Sequence, residues 1–260
     1  MEINLEVCRT IAVQYGLPLQ FVAKEFYVFD VLGQIAELTA GKKELVFKGG
    51  TALNKIYLGK MQRFSEDLDF DLSAEREIGL TEYCRKLAKG IEGYKIGEFR
   101  KVRGTLQLYC GFESLLGGTD HVRIDIAAKK IITQNPTALG TASSSYAGRS
   151  VAGINVYSLE DLCARKLCAL CVRGEGKDFY DVHNALPLCG RMKGAIEKML
   201  LSEGSGQTAE EFLEKATATV KKADAKKLRN LANPFIPAGC RPKDWLELKN
   251  DLAMKLEMLG

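Results

Sequence analysis

The sequence predicts an α+β fold, in which a mixed β-sheet is flanked by helices and followed by a helical C-terminal region. Three observations carry this expectation. Apolar residues at helical spacing fill the first forty positions and return after Ser158. Strand-like runs are confined to the stretch between Leu45 and Tyr157. Those runs lie close together in the chain instead of alternating with helices, which favours a mixed or antiparallel sheet over a doubly wound one. The expected division is residues 1–157 for N-terminal helices and sheet, and 158–260 for the helical region.

The elements follow in order. Val7–Tyr15 reads as a helix, Gly16-Leu17-Pro18 as a stop and restart, and Leu19–Thr39 as a second helix ended by Gly41. Leu45–Phe47 is a short buried strand, Thr51–Leu58 a helix leaving a glycine pair, and Asp67–Leu72 a strand. Leu106–Phe112 and His121–Ile126 are strands joined through Gly117-Gly118, and Gly153–Tyr157 is another strand-like run. Ser158 is placed to cap a helix running to Val172, with Asp161 at its third position. Asp178–Leu186, Gly190–Leu201, Thr208–Lys222 and Pro242–Leu259 complete the expected helices.

Composition excludes several classes. With 260 residues, 46% hydrophobic and 27% charged, the chain has the make-up of a soluble globular protein. No apolar run is long enough to span a bilayer, and Met1–Glu6 lacks the basic start and apolar core of an export signal, so the expected location is cytoplasmic, with no membrane partner. The eight cysteines include one CxxC, Cys168–Cys171, but it falls in a helix with no second ligand pair at zinc-finger spacing. Buried free thiols are expected. The net charge of +4 permits a nucleic-acid partner without requiring one. Lys215, Lys221, Lys222, Lys226, Lys227 and Arg229 crowd one late helical region, which reads equally as a solvated face or a phosphate-backbone patch.

The residues suited to chemistry begin at Phe47-Lys48-Gly49-Gly50-Thr51. Glycines opening a helix give phosphate oxygens close access to backbone N–H groups, and the helix N-terminus adds partial positive charge. The spacing is neither a Walker P-loop nor GxGxxG. Arg63-Phe64-Ser65-Glu66-Asp67-Leu68-Asp69-Phe70 follows. Residues two apart on a strand share a side, so Asp67 and Asp69 aim at one point while Leu68 and Phe70 enter the core. Two such like charges are unfavourable unless cations neutralise them, and Mg²⁺ takes carboxylate and phosphate oxygens together. Asp71 continues the face and is expected to be peripheral and exposed. Asp125, an acid between two isoleucines, is the candidate third metal ligand; its alternative is a salt bridge to a neighbouring Arg or Lys. Lys166 lies mid-helix, free to reach a triphosphate or to face solvent. Asp178 suits a helix start and Asp181 lies one turn on, where it can orient Lys166. His121 and His183 sit in no triad-like setting and are assigned to structure.

Taken together, these blocks resemble the AbiEii/AbiGii toxin family of nucleotidyltransferases, which includes the MenT toxins and belongs to the DNA polymerase β-like superfamily. The resemblance rests on Phe47–Leu53, on Arg63-x-Ser65-x-Asp67-Leu68-Asp69-Phe70, on Asp125, and on Lys166 followed by Lys177-Asp178-Phe179-Tyr180-Asp181. It implies a nucleotidyltransferase core in residues 1–157, a helical region closing the active-site cleft, and transfer of a nucleoside monophosphate from an NTP to an acceptor. It implies tRNA or another RNA as acceptor and a separate antitoxin protein as partner. The implied catalytic residues are Asp67, Asp69, Lys166 and Asp181. The implied nucleotide-binding residues are Lys48, Gly49, Gly50, Thr51, Arg63, Ser65 and Asp178, with two Mg²⁺ ions on Asp67, Asp69 and Asp125. Arg63 has two readings, a phosphate contact or a tie within the loop before the strand. A protein or small-molecule hydroxyl as acceptor, and nucleotide binding without turnover, are the alternatives.

Overall fold

Strand and helix boundaries follow the local chemistry. A computed structural model of the protein describes residues 3–73 and 79–259. Met1 and Glu2, the start of the segment read for an export signal, lie outside the described residues. The chain divides into two compact units, residues 1–131 with 137–156, and residues 132–136 with 157–260.

In the first unit, α1 (Leu5–Tyr15) is capped by the Asn4 side chain, which accepts from the Glu6 and Val7 amides, and it ends at left-handed Gly16. Helix α2 (Leu19–Leu38) buries ten residues, Glu25 among them. Strand β1 (Leu45–Lys48) leads into a single turn, α3 (Gly49–Ala52). The expected Thr51–Leu58 helix is corrected here. It starts two residues earlier, and Leu53–Tyr57 winds as a π-helix closed by the Leu58 amide on the Leu53 carbonyl at 3.3 Å. Strand β2 (Leu68–Ser73) follows, so Asp67 stands just before it. Then come α4 (Leu80–Gly90), β3 (Lys95–Ile96), β4 (Arg100–Val102), β5 (Thr105–Glu113), β6 (Thr119–Lys129), β7 (Ala138–Ser143) and β8 (Ser150–Val156).

The eight strands of the described residues form one sheet in the order β3-β5-β6-β2-β1-β8-β7, with β4 also on β5. β2/β6 and β1/β8 are parallel and the other pairs antiparallel, giving the mixed sheet that strand spacing predicts. Helices α2 and α4 pack on it. Alternation is strict near the centre. Leu68, Phe70, Leu106, Leu108, Ile124 and Ile126 are buried, while Asp69, Gln107, Tyr109, Arg123 and Asp125 on the opposite face are half-buried.

The second unit is helical: α5 (Leu159–Arg173), α6 (Gly176–Ala185), α7 (Lys193–Ser202), α8 (Ala209–Lys222), α9 (Ala225–Ala232) and α10 (Trp245–Glu257). Ser158 caps α5 by accepting from the Asp161 amide at 3.1 Å. The late basic stretch is two helices rather than one, because Asp224 caps a new helix through the Lys226 and Lys227 amides. A buried Asp161 carboxylate also accepts from the Gln134 and Asn135 amides at 2.9 and 3.2 Å, tying loop 132–136 into this unit. All eight cysteines are free thiols, four of them buried.

Candidate active site

Parallel pairing of β2 with β6 sets Asp69 directly beside Asp125, and antiparallel pairing sets Lys48 beside Asp69 and Gln107 beside Asp125. The polar face therefore carries Asp67, Asp69, Asp71 and Asp125 around a few cations. Arg123, two residues before Asp125 and on its side of the strand, donates to Asp67 at 2.6 Å and lies 3.4 Å from Asp125. Burial raises the pKa values of Asp67 and Asp125, and the Arg123 charge only partly offsets this. Burial would lower the Arg123 pKa, but the surrounding aspartates, Asp67 first, raise it. Asp71 is corrected: it is buried, and it pairs with Lys48 at 2.5 Å.

The glycine turn lies against this face. Gly49 has φ +79°, and a Cβ there would collide with the Asp69 carboxylate, so only glycine lets the turn and the acid approach each other. The Asn54 side chain donates to the Gly50 carbonyl at 2.9 Å and accepts from the Arg63 amide at 2.8 Å, fastening the turn to the next loop. The side chains of Thr51, expected at the nucleotide, and of Arg63, read either as a phosphate contact or as a loop tie, bond within the loop. The Thr51 hydroxyl donates to the Asp67 carbonyl at 2.5 Å and lies 2.8 Å from the half-buried Ser65 hydroxyl. The buried Arg63 guanidinium donates to the Phe64 carbonyl at 2.9 Å, the loop-tying role of its two readings.

The acids suit a hard divalent cation in kind. All donors are carboxylate oxygens, and Asp125 Oδ1 is buried with no hydrogen-bond partner. Among the described residues, no group of three or more acids, histidines or cysteines is drawn together as a closed metal cage. Arg123, at 2.6 Å from Asp67 and 3.4 Å from Asp125, offsets one unit of the negative charge that these acids share.

In the second unit, Lys166 on α5 is almost fully buried and bonds Asp178 at 2.8 Å and Asp181 at 2.9 Å, both on α6. Arg173, missed from sequence, grips Asp178 with two bonds of 2.7 Å. Burial alone would raise the Asp178 pKa, but the Arg173 hydrogen bonds and the Lys166 charge hold it down to about 2. A carboxylate depressed in the folded state stabilises the fold above its unfolded pKa and stops doing so as pH falls through the folded value. The advantage of wild type over Asp178→Asn in urea unfolding is thus expected to shrink between about pH 4 and about pH 2, by on the order of 2 kcal/mol. A constant advantage across that window would contradict the assignment. His183 is structural, its ring 2.8 Å from Asp251, and burial lowers its pKa. The half-exposed His121 packs edge-on to Tyr109.

The family model described as nucleotidyl transferase AbiEii toxin, type IV toxin–antitoxin system, matches residues 30–257. Among solved structures, the chain is similar to MenT4, a nucleotidyltransferase toxin from Mycobacterium tuberculosis H37Rv, with 18% identity, TM-score 0.61, and coverage of 97% of this chain and 99% of that one. It is also similar to a candidate nucleotidyltransferase from H. pylori, with 16% identity, TM-score 0.54, and coverage of 94% and 96%. At these identities the structures speak for the fold. No curated protein matches the chain. The family match covers most of the sequence and both residue groups described above, and the chain belongs to the AbiEii family of nucleotidyltransferase toxins.

Proposed function

We propose that this nucleotidyltransferase moves a nucleoside monophosphate from an NTP to the 3′-hydroxyl of an RNA acceptor, tRNA by preference, and that it acts in the cytoplasm as a toxin countered by a separate antitoxin protein. The observation that carries the reading is the close approach of the Gly49 turn to Asp69, on a face that also holds Asp67 and Asp125. Phosphate oxygens meet backbone N–H groups at such a turn, and carboxylates beside it suit a cation shared with the phosphates. Asp67, Asp69 and Asp125 would hold Mg²⁺, two ions in the full site. A divalent cation bound there supplies charge neutralisation at the phosphates and lowers the pKa of a hydroxyl.

This chain's residues do the rest by position. Gly49 and Gly50 offer N–H groups to the triphosphate, and Ser65 offers a hydroxyl beside them. Thr51 and Arg63 act through the turn, holding its shape. Lys166, oriented by Asp178 and Asp181, is proposed as a catalytic cation. The acceptor oxygen bonds to the α-phosphorus, the bond to the β-phosphate bridging oxygen breaks, the hydroxyl proton is released and pyrophosphate leaves. Electrostatic preorganisation supplies the rate, with no covalent enzyme intermediate.

The test is label transfer. Purified protein is incubated with Mg²⁺, total tRNA and each α-labelled NTP in turn. Label on the tRNA 3′ end from one NTP is the expected result. Label only on protein or on a small molecule would overturn the RNA assignment, and NTP binding without any transfer would overturn turnover itself.

A further inference from the structure

The polar face does not stop at the carboxylates. Register carries it outward in rows: Asp69, Asp125, Gln107 and Arg100 in one, Arg123 and Tyr109 in the next, His121, Gly111 and Lys95 in the third. The outer rows line a groove of about 910 Å³. Its floor is kept low by glycine. A Cβ at Gly111 would come within 3.1 Å of the Lys95 carbonyl, and one at Gly97 within 3.4 Å of the Tyr109 Cβ. Tyr109 presents a half-buried ring flanked by the Arg100 guanidinium, 5.6 Å from its centroid, and by the His121 ring at 5.0 Å. The Tyr109 hydroxyl donates to Gln107 at 3.0 Å, which connects the ring to the residue beside Asp125.

Beside the groove stands a basic hairpin. Strands β4 and β5 are joined by Arg103 and Gly104, both at positive φ (47° and 83°), the backbone of a type I′ turn. Arg100, Lys101 and Arg103 are exposed, and none makes an ion pair among the described residues. Of the late basic residues, Lys221 pairs with Glu257 at 2.5 Å.

We infer that this surface binds the unpaired end of a single-stranded RNA, a base stacking at Tyr109 and the backbone phosphates lying on the β4–β5 hairpin. The inference rests on the nucleotidyl-transfer reading and names where its acceptor lies. Stacking on an aromatic ring with Arg support, next to a basic track, is the recognition chemistry of single strands. The groove also holds Glu98, Glu113 and Asp120, the last paired with Lys24 at 3.1 Å. Acids there repel a run of phosphates and leave the groove to a base.

The test is fluorescence anisotropy of a short fluorescein-labelled single-stranded RNA ending in CCA, run alongside NTP binding and label transfer to tRNA. Tyr109→Ala is expected to weaken RNA binding about tenfold, and Tyr109→Phe, which keeps the ring, to retain it. Replacing Arg100, Lys101 and Arg103 together by alanine should weaken binding and reduce the salt slope by about two. NTP binding should be unchanged in all of these. Wild-type protein that fails to bind the RNA, or a Tyr109→Ala protein that binds as wild type does, overturns the inference. So does a loss of binding that appears on replacing Lys226, Lys227 and Arg229 and not on replacing the hairpin residues. Transfer to tRNA with unchanged KM in the Tyr109 and hairpin variants would sink this surface and leave the transfer reading standing. Tyr109-dependent RNA binding without any labelled RNA would do the reverse.

Discussion

Asp69→Asn is expected to lower nucleotide transfer by roughly a thousandfold while the protein folds as before. Asparagine keeps the shape that packs against Gly49, so the turn is undisturbed. What is lost is one full negative charge from the centre of the face, between Lys48 and Asp125 in register. If that charge exists to hold a cation against the α-phosphate, its removal raises the barrier and leaves the ground-state fold alone. Stability should stay within about 1 kcal/mol of wild type, or rise, because like charges on neighbouring strands repel. Single-turnover label transfer and a thermal melt of the same sample provide both readings. Residual activity within tenfold of wild type would remove Asp69 from the catalytic set.

Lys55→Met is expected to cost about 3–5 kcal/mol of stability, through a different mechanism. Lys55 lies in the π-helical turn that follows the glycine turn, and it is fully buried with Glu25 of α2 as its ion-pair partner. Its ammonium also reaches the Tyr146 hydroxyl at 3.1 Å and the Gln62 side-chain amide oxygen, Oε1, at 3.3 Å. Burial pushes the Lys55 pKa down and the Glu25 charge pulls it back. Removing the lysine strands a carboxylate whose second oxygen, Oε2, already has no hydrogen-bond partner. Adding Glu25→Leu to Lys55→Met should therefore recover much of the loss, since an apolar pair carries no desolvation cost. Urea titration of both proteins checks this. A single variant within about 1 kcal/mol of wild type would show that the pair is not a stabilising anchor.

The parts of the site that could be read from the sequence are those written in local spacing. Alternation placed Leu68 and Phe70 inward, and the capping pattern at Ser158 marked the start of the helix that carries Lys166. What escaped was set by partners distant in the chain. Asp71 looked exposed because nothing nearby announces Lys48, which meets it only through antiparallel pairing. Arg123 was visible as a neighbour of Asp125, but its bond to Asp67 depends on a parallel register that no local signal encodes. Strands β3 and β4, with two and three residues, are too short to show a period. Thr51 and Arg63 carry residue types suited to phosphate, and a linear reading does not reveal that their side chains are spent on the loop.

Loop 132–136 has a consequence for how this protein can be taken apart. The chain leaves the first unit at Ile131, gives five residues to the second, returns for β7 and β8, and leaves again at Val156. A fragment ending at Val156 would carry Gln134 and Asn135 away from the carboxylate that accepts their amides, and Ile132 away from the Arg165 guanidinium that bonds its carbonyl at 3.0 Å. The complementary fragment would keep Asp161 buried but stripped of two backbone donors. Neither half is a cassette that one cut releases intact, and a recombination event at that junction would pass on an incomplete unit.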